Sequence, residues 1–201
     1  TVTEIYDYLR LLFARIGHPH CPDCGREISS QSQDQIVEAI IKQIEIISKT
    51  KRQVRFFILS PVVRDKKGEF SSLLENLKAK GFNQVRIDGI VKDLSEEFIL
   101  IKTNKHTIEA VNDRISLDSR ELKNLLYKQN LKSRISNSVE QALNLSDGLV
   151  IFTEILDKTY ELPHYPKKFS DHLFSEKFAC PIDNIQLPEI EPRTFSFNSP
   201  H

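Results

Sequence analysis

The 201-residue sequence contains no methionine, not even at position 1. A natural chain begins with one unless processed, so the opening TVTEIYDYLRLLFARIG reads as the middle of a longer protein, and the ending reads likewise as a cut. Cysteine is scarce. Three residues are too few and too scattered for a disulfide framework, which points to a reducing, cytoplasmic setting. No run of roughly 18 or more apolar residues and no signal peptide is present, so no membrane association is expected. Net charge is missing too: 28 basic residues cancel 28 acidic ones. No global field draws the chain onto nucleic acid or membrane, and any such contact must come from a local patch. The phosphate loop GxxxxGK[ST] is absent, as are GxGxxG, GxSxG and HExxH. The segment shows no catalytic machinery of its own, and its carboxylates read as single, solvated, salt-bridging groups on helix faces.

What is present suits one large domain or two small ones. Ile5, Tyr8, Leu9, Leu12, Phe13 and Ile16 recur at three- and four-residue steps, which predicts an amphipathic helix with Thr3 as N-cap and Gly17 at its end. Its apolar face needs a partner. A turn-rich stretch, GHPHCPDCGREISSQS, leads to a second helix with Ile36, Ala39, Ile40, Gln43, Ile44 and Ile47 on one face. QVRFFILSPVV predicts a buried strand ended by Pro61. A helix follows, with Leu73, Leu74 and Leu77 facing in and Gly81 as C-cap. QVRIDGIVKDL predicts a hairpin turning at Asp88-Gly89. The alternation of Ile108, Ala110 or Val111, and Ile115 predicts another strand, and residues 119–148 a long helix, kinked near Gln129 and Asn130 and ending at Gly148. LVIFTEIL predicts a strand, and the polar, Pro- and His-rich residues 157–172 a loop. Strands and helices without a regular β-α-β rhythm predict an α+β fold.

The main chemical feature is CPDCG. Cys21 and Cys24 place two thiols in a tight turn; Pro22 fixes one backbone angle and Gly25 permits a positive φ. Zinc takes four ligands, and a two-residue spacer lets neighbouring thiols supply two. A lone CxxC is a half-site that His18 and His20 could complete; a redox pair or two inert cysteines are the other readings. Cys180 is a buried cysteine or a lone ligand, with Asp183 and His201 the next ligand-bearing residues. Arg64, Lys66 and Lys67 fall in a turn after a buried strand, and with Arg86 and Lys92 on the hairpin they form a candidate positive face. No aromatic residues interleave with these charges, which fits an acidic protein partner better than a base-stacking platform. The plain alternative is a solvated loop.

TVTEIYDYLRLLFARIG, CPDCG, LSPVVRDKKGEF, GFNQVRIDG, KHTIEAVNDRI, SVEQALNLSDG, LFSEKFACP and LPEIEPRTFSFNSP occur in this order over essentially the whole chain. In this the sequence resembles the bacterial UvrA family, the damage-sensing ATPase subunits of the UvrABC excision nuclease. The resemblance implies that residues 1–30 are the end of a first ATP-binding cassette segment with its CxxC knuckle. Residues 31–150 would be the inserted UvrB-binding domain, and residues 151–201 a return segment with the first half of a zinc module. It also implies that ATP and Mg, a UvrA homodimer and damaged double-stranded DNA belong to the parent protein, outside this segment, whose own work is docking UvrB. Where the family usually has CPxC this sequence has Cys180-Pro181-Ile182-Asp183, so Asp183 is either an oxygen ligand or the mark of a degenerate module. The competing reading is a stand-alone zinc-containing nucleic-acid-binding protein, against which the zero net charge argues.

Overall fold

The computed structural model describes residues 2–28, 30–159, 161–178, 180, 185, 187 and 190–196, with residues 2 and 3 described as backbone only. The chain divides into two compact units, one made of Thr1–Ser30 and Lys177–His201, the other of Gln31–Glu176. The sequence boundary after residue 150 falls inside a strand, Leu149–Ile155, whereas the structural division falls after Glu176.

The larger unit is built on a six-stranded sheet. Its strands are β1 (Gln53–Lys67), β2 (Gln84–Ile87), β3 (Ile90–Asp93), β4 (Lys105–Asp118), β5 (Leu149–Ile155) and β6 (Phe169–Ser175), in the order β3-β2-β4-β1-β5-β6. Every pairing is antiparallel. With α1 (Val2–Ile16) in the smaller unit, the helices of the larger one are α2 (Gln33–Thr50), α3 (Ser71–Ala79) and α4 (Leu125–Leu145). The fold is α+β, as the element order predicts.

Burial of one face organises this unit. Ile36, Val37, Ile40, Ile41, Ile44 and Ile47 of α2 meet Leu131, Ile135, Val139 and Ala142 of α4 over Val54, Phe56, Ile58, Val150 and Phe152 of the sheet. Phe56 and Phe152 are fully buried, with ring centroids 5.0 Å apart, and burying a side chain of this size contributes about 1.5–3 kcal/mol. Ser32 caps α2 in a reciprocal capping box with Gln35, and the Asn124 side chain caps α4 by accepting from the amides of Leu126 and Tyr127. Helix α3 lays Leu77, with Leu73 and Leu74 at its edge, over Val85, Ile87, Ile108 and Ala110. The opposite sheet face carries a second apolar cluster of Phe57, Leu59, Val91, Val111, Ile151 and Ile155, joined by Leu162, Phe169 and Leu173.

Several local expectations are corrected. Strand β1 does not stop at Pro61 but runs to Lys67. Its pairing with β5 extends only from Phe56 to Leu59, and its register with β4 shifts between Pro61 and Val63. A proline without an N–H is tolerated at such an irregularity. A second shift pairs Ile58 with Asp113 but Leu59 with Val111, skipping Asn112. Neighbouring Ala110 and Val111 point to opposite faces and are both buried because both faces are covered; the bulge beyond them reverses the in–out alternation, so Ile108 and Ala110 pack under α3 while Ile115 and Leu117 pack under α2 and α4. Helix α4 runs unbroken through Gln129 and Asn130 and starts only at Leu125, after a short 3-10 turn at Glu121–Lys123. Residues 169–172, expected in a loop, lie in β6. Helix α1 begins at Val2, so Thr3 lies inside it and is not its N-cap. The hairpin forms as predicted, with Ile87 opposite Ile90 and positive φ at Asp88 (51°) and Gly89 (81°), the conformation a two-residue turn of this hand requires.

Candidate interaction surface and thiol cluster

The smaller unit brings together what the sequence spreads over 156 positions. His20 pairs with Glu27 in an isolated antiparallel bridge, which folds the CPDCG turn back on itself. Within it the Cys21 amide donates to the Arg26 carbonyl (2.7 Å) and the Gly25 amide to the Cys21 carbonyl (2.9 Å). Gly25 has φ +69°, where a side chain would strain the backbone although nothing would obstruct it. On the other segment the Cys180 amide donates to the Ile185 carbonyl (2.7 Å). The two turns meet: the sulfurs of Cys21, Cys24 and Cys180 lie within 4.8 Å of one another, with Cys24 Sγ 3.6 Å from Cys180 Sγ.

A disulfide needs about 2.05 Å. Around a tetrahedral ion with metal–sulfur bonds of about 2.3 Å, sulfurs stand about 3.8 Å apart, close to the separation observed here. The three thiols could therefore hold a metal ion. Cys21 and Cys180 are buried beside Ile28, with Phe178, Ile185 and Leu187 packed around them, and Cys24 is exposed. The third candidate ligand is the Cys180 thiol rather than a nearby histidine. His18 Nδ1 is held by Glu27 Oε1 at 2.6 Å, and His20 Nδ1 donates to the Gly25 carbonyl at 2.8 Å. The bond from His18 keeps the Glu27 carboxyl below its usual pKa, and these histidines brace the knuckle. Asp183 and His201 lie outside the described residues.

In the larger unit the five predicted partner-binding cations do not form one face. Lys66 and Lys67 are exposed and Arg64 is half-buried, all at the end of β1 rather than in a turn beyond it. Lys92 lays its ammonium 4.8 Å from the centre of the Phe98 ring. Arg86 is only 3% exposed and faces the other side of the sheet. Its Nε and Nη2 donate to the two Glu109 carboxylate oxygens at 2.6 and 2.8 Å, and its Nη1 and Nη2 to Asp171 at 2.9 and 2.7 Å. The guanidinium also sits 5.0 Å from the Phe169 ring centre. Burial alone would lower its pKa, but the bonds to Glu109 and Asp171 outweigh that and hold it well above the ordinary arginine range. Arg86 thus ties β2 to β4 and β6 from within, and its expected place on a binding face is corrected: β6 and the residues before it cover the sheet face that the isolated hairpin would leave in water.

The end of the sheet where β1 finishes, β4 begins and the hairpin turns is a different kind of surface. Lys66 is opposite His106 and Lys67 opposite Lys105. His106 Nδ1 bonds Asp88 Oδ2 in the hairpin turn (2.7 Å), and its Nε2 bonds the Ile101 carbonyl (3.1 Å). With acceptors at both nitrogens the ring is held as an imidazolium, and its pKa is raised, chiefly by Asp88 and then by the Ile101 carbonyl. Around this pin, Ile90, Ile99 and Ile101 stand 62%, 93% and 60% exposed. The sequence reading gives no role to residues 95–104. Their signal was the apolar run Phe98–Ile101 in a segment with neither helical nor strand periodicity throughout, which leaves some of its apolar side chains with no core to enter.

The comparisons with known proteins agree with this architecture. The family model described as "UvrA interaction domain" matches residues 31–155. Over the whole chain, the sequence is 44% identical to UvrABC system protein A of Streptomyces coelicolor, 48% to that of Clostridium acetobutylicum and 43% to that of Mycobacterium tuberculosis. It covers 18% of the length of each of these relatives. No helix among the described residues is long and apolar enough to cross a membrane. The chain belongs to the UvrA interaction domain family.

Proposed function

We propose that this chain is the UvrB-docking segment of a nucleotide excision repair ATPase, and that residues 31–155 carry the docking. The observation that carries the reading is the exposed sheet end: a domain matched to an interaction family presents Lys66, Lys67, Ile90, Ile99 and Ile101 on a scaffold pinned from inside by His106. Arg64 and Lys92 flank that end, whereas Arg86 supports the scaffold and does not touch the partner. ATP with Mg, damaged double-stranded DNA and homodimerisation are assigned to the parent protein beyond this segment. The chain covers 18% of its relatives' length and carries no phosphate loop, so hydrolysis of ATP by the isolated chain is not expected. Titration of purified UvrB into the chain tests the docking. Saturable binding that weakens with added salt is expected, and absence of binding overturns the reading.

For the smaller unit the reading is a structural zinc site at Cys21, Cys24 and Cys180. Bound zinc supplies a covalent-strength junction between two turns and no reactivity in this segment. The residues do the rest. Gly25 and the Cys21–Arg26 hydrogen bonds shape one turn, the Cys180–Ile185 bond shapes the other, and Ile28 and Leu187 exclude water from two of the sulfurs. Elemental analysis of the purified chain tests it. About one equivalent of zinc is expected, and less than about a tenth of an equivalent with all thiols readily alkylated would favour inert cysteines.

A further inference from the structure

Beside the exposed isoleucines, α3 and the segment after β3 enclose a groove of about 630 Å³. Its floor is apolar: Leu74, Leu94 and Phe98 line it, with Leu94 buried, and Ile99 stands at its lip and projects almost entirely into solvent. Its rim is mainly acidic: Glu75, Glu96 and Glu97 stand against the ammonium of Lys78, with that of Lys92 laid over the Phe98 ring. Glu96 accepts a hydrogen bond from the Tyr165 hydroxyl (2.7 Å), which leaves its carboxylate capacity for further donors. The groove adjoins the pinned sheet end, because Ile99 precedes by two residues the Ile101 carbonyl that His106 holds.

We propose that this groove receives a segment of UvrB in which a bulky apolar side chain is flanked by arginine or lysine. The inference rests on the reading that the domain docks UvrB, and it names the surface and the partner's chemistry. Charge decides the occupant. An acidic rim repels a phosphate backbone, which a nucleic-acid site must neutralise with cations, so DNA is excluded here. An acidic protein segment is repelled in the same way. A basic one is attracted, and arginine in particular pairs a carboxylate through two parallel bonds. The apolar floor supplies the desolvated pocket in which interface energy concentrates, and the carboxylates supply its rim. The opposite charge at Lys66 and Lys67, at the end of β1, then fixes the direction in which a partner of mixed charge lies across the surface.

The test is calorimetric titration of UvrB into the full chain and its variants, each first checked for native circular dichroism. Ile99→Asp and the double variant Glu96→Lys/Glu97→Lys are each expected to weaken binding about tenfold or more. Lys132→Ala, which breaks only the surface pair with Glu38 between α4 and α2, should leave it unchanged. A short duplex oligonucleotide should not bind at the groove. If the unmutated chain binds UvrB and both groove variants bind equally well, the groove proposal fails and the docking reading stands. If Glu96→Lys/Glu97→Lys binds more tightly, or the duplex competes for the groove, the assigned chemistry is wrong. If the unmutated chain does not bind UvrB at all, the docking reading fails and the groove assignment falls with it.

Discussion

The two units of this chain hold themselves together by different means. Gln31–Glu176 has a sheet covered on one face by three helices and on the other by its own return segment, with Phe56, Phe57 and Phe152 fully buried. The unit of Thr1–Ser30 and Lys177–His201 has a small cluster around Cys21, Ile28 and Cys180, while Ile5, Tyr8, Leu12, Phe13 and Ile16 of α1 stand at least half exposed. A unit of the first kind draws its stability from apolar burial; a unit of the second kind, too small for a sizeable core, gains from a metal junction. The contrast predicts that changes in one unit leave the other unmoved.

The largest effect is expected at Arg86. Truncation to alanine leaves Glu109 buried without its cation, and breaking a buried pair costs about 3–5 kcal/mol. Urea unfolding should register this loss while the zinc content stays the same. A loss under about 1 kcal/mol would return Arg86 to the surface role that its sequence context predicts. Arg86→Lys should recover only part, because an ammonium cannot bond Glu109 and Asp171 through two nitrogens each. On the other side of the comparison, Cys180→Ser should drop zinc from about one equivalent to near zero and leave the urea transition of the sheet unit in place. Bound zinc should also fall as pH drops, because protons compete for the thiolates. Zinc retained in Cys180→Ser would show that the two segments do not share an ion.

A smaller effect is expected at Asn124, whose side chain caps α4: Asn124→Ala should cost about 1 kcal/mol and leave UvrB binding intact. The least is expected from pH at the His106 pin. The folded-state pKa of His106 is raised, so its contribution is complete below the unfolded value near 6.5 and is lost as pH rises through the folded value. Asp88 runs the other way. Burial opposes its ionisation, but the bonds from His106 and the Thr107 amide lower its pKa, so its contribution is present above the unfolded value near 3.8 and fades as pH falls through the folded one. The unfolding free energy should therefore decline through His106 as pH rises from about 6.5 through the folded value, and His106→Gln should flatten that decline. An unchanged slope in the variant would show that the pin does not titrate with folding.

Much of the scaffold was legible because it rests on local rules. Asp88-Gly89 marks its turn by the φ it needs, and Ile36, Ile40, Ile44 and Ile47 mark a helix face by spacing. What was illegible depends on partners far away in sequence. Pro61 stays inside β1 only because the register slips beside it, and that slip is fixed by β4. Phe169 to His172 reads as polar loop because Asp171 is half exposed at the edge strand and its carboxylate meets Arg86, and Arg86 reads as exposed because its carboxylate partners are distant in sequence. Neither residue discloses its role without the other. The thiols behave alike. The CxxC spacing shows a half-site, but only the fold brings Cys180 to it. The exposed sheet end was half legible: charge marked Lys66 and Lys67, whereas the exposed isoleucines gave no periodic signal.

The division of labour between the units is tested most directly by hydrogen–deuterium exchange of the intact chain with and without UvrB. Amides of residues 88–107, in the hairpin turn, the groove segment and the start of β4, are predicted to exchange more slowly when UvrB is bound, while those of residues 2–28 keep their rates. Slowing confined to residues 2–28, or none within 88–107 under saturating UvrB, would contradict it.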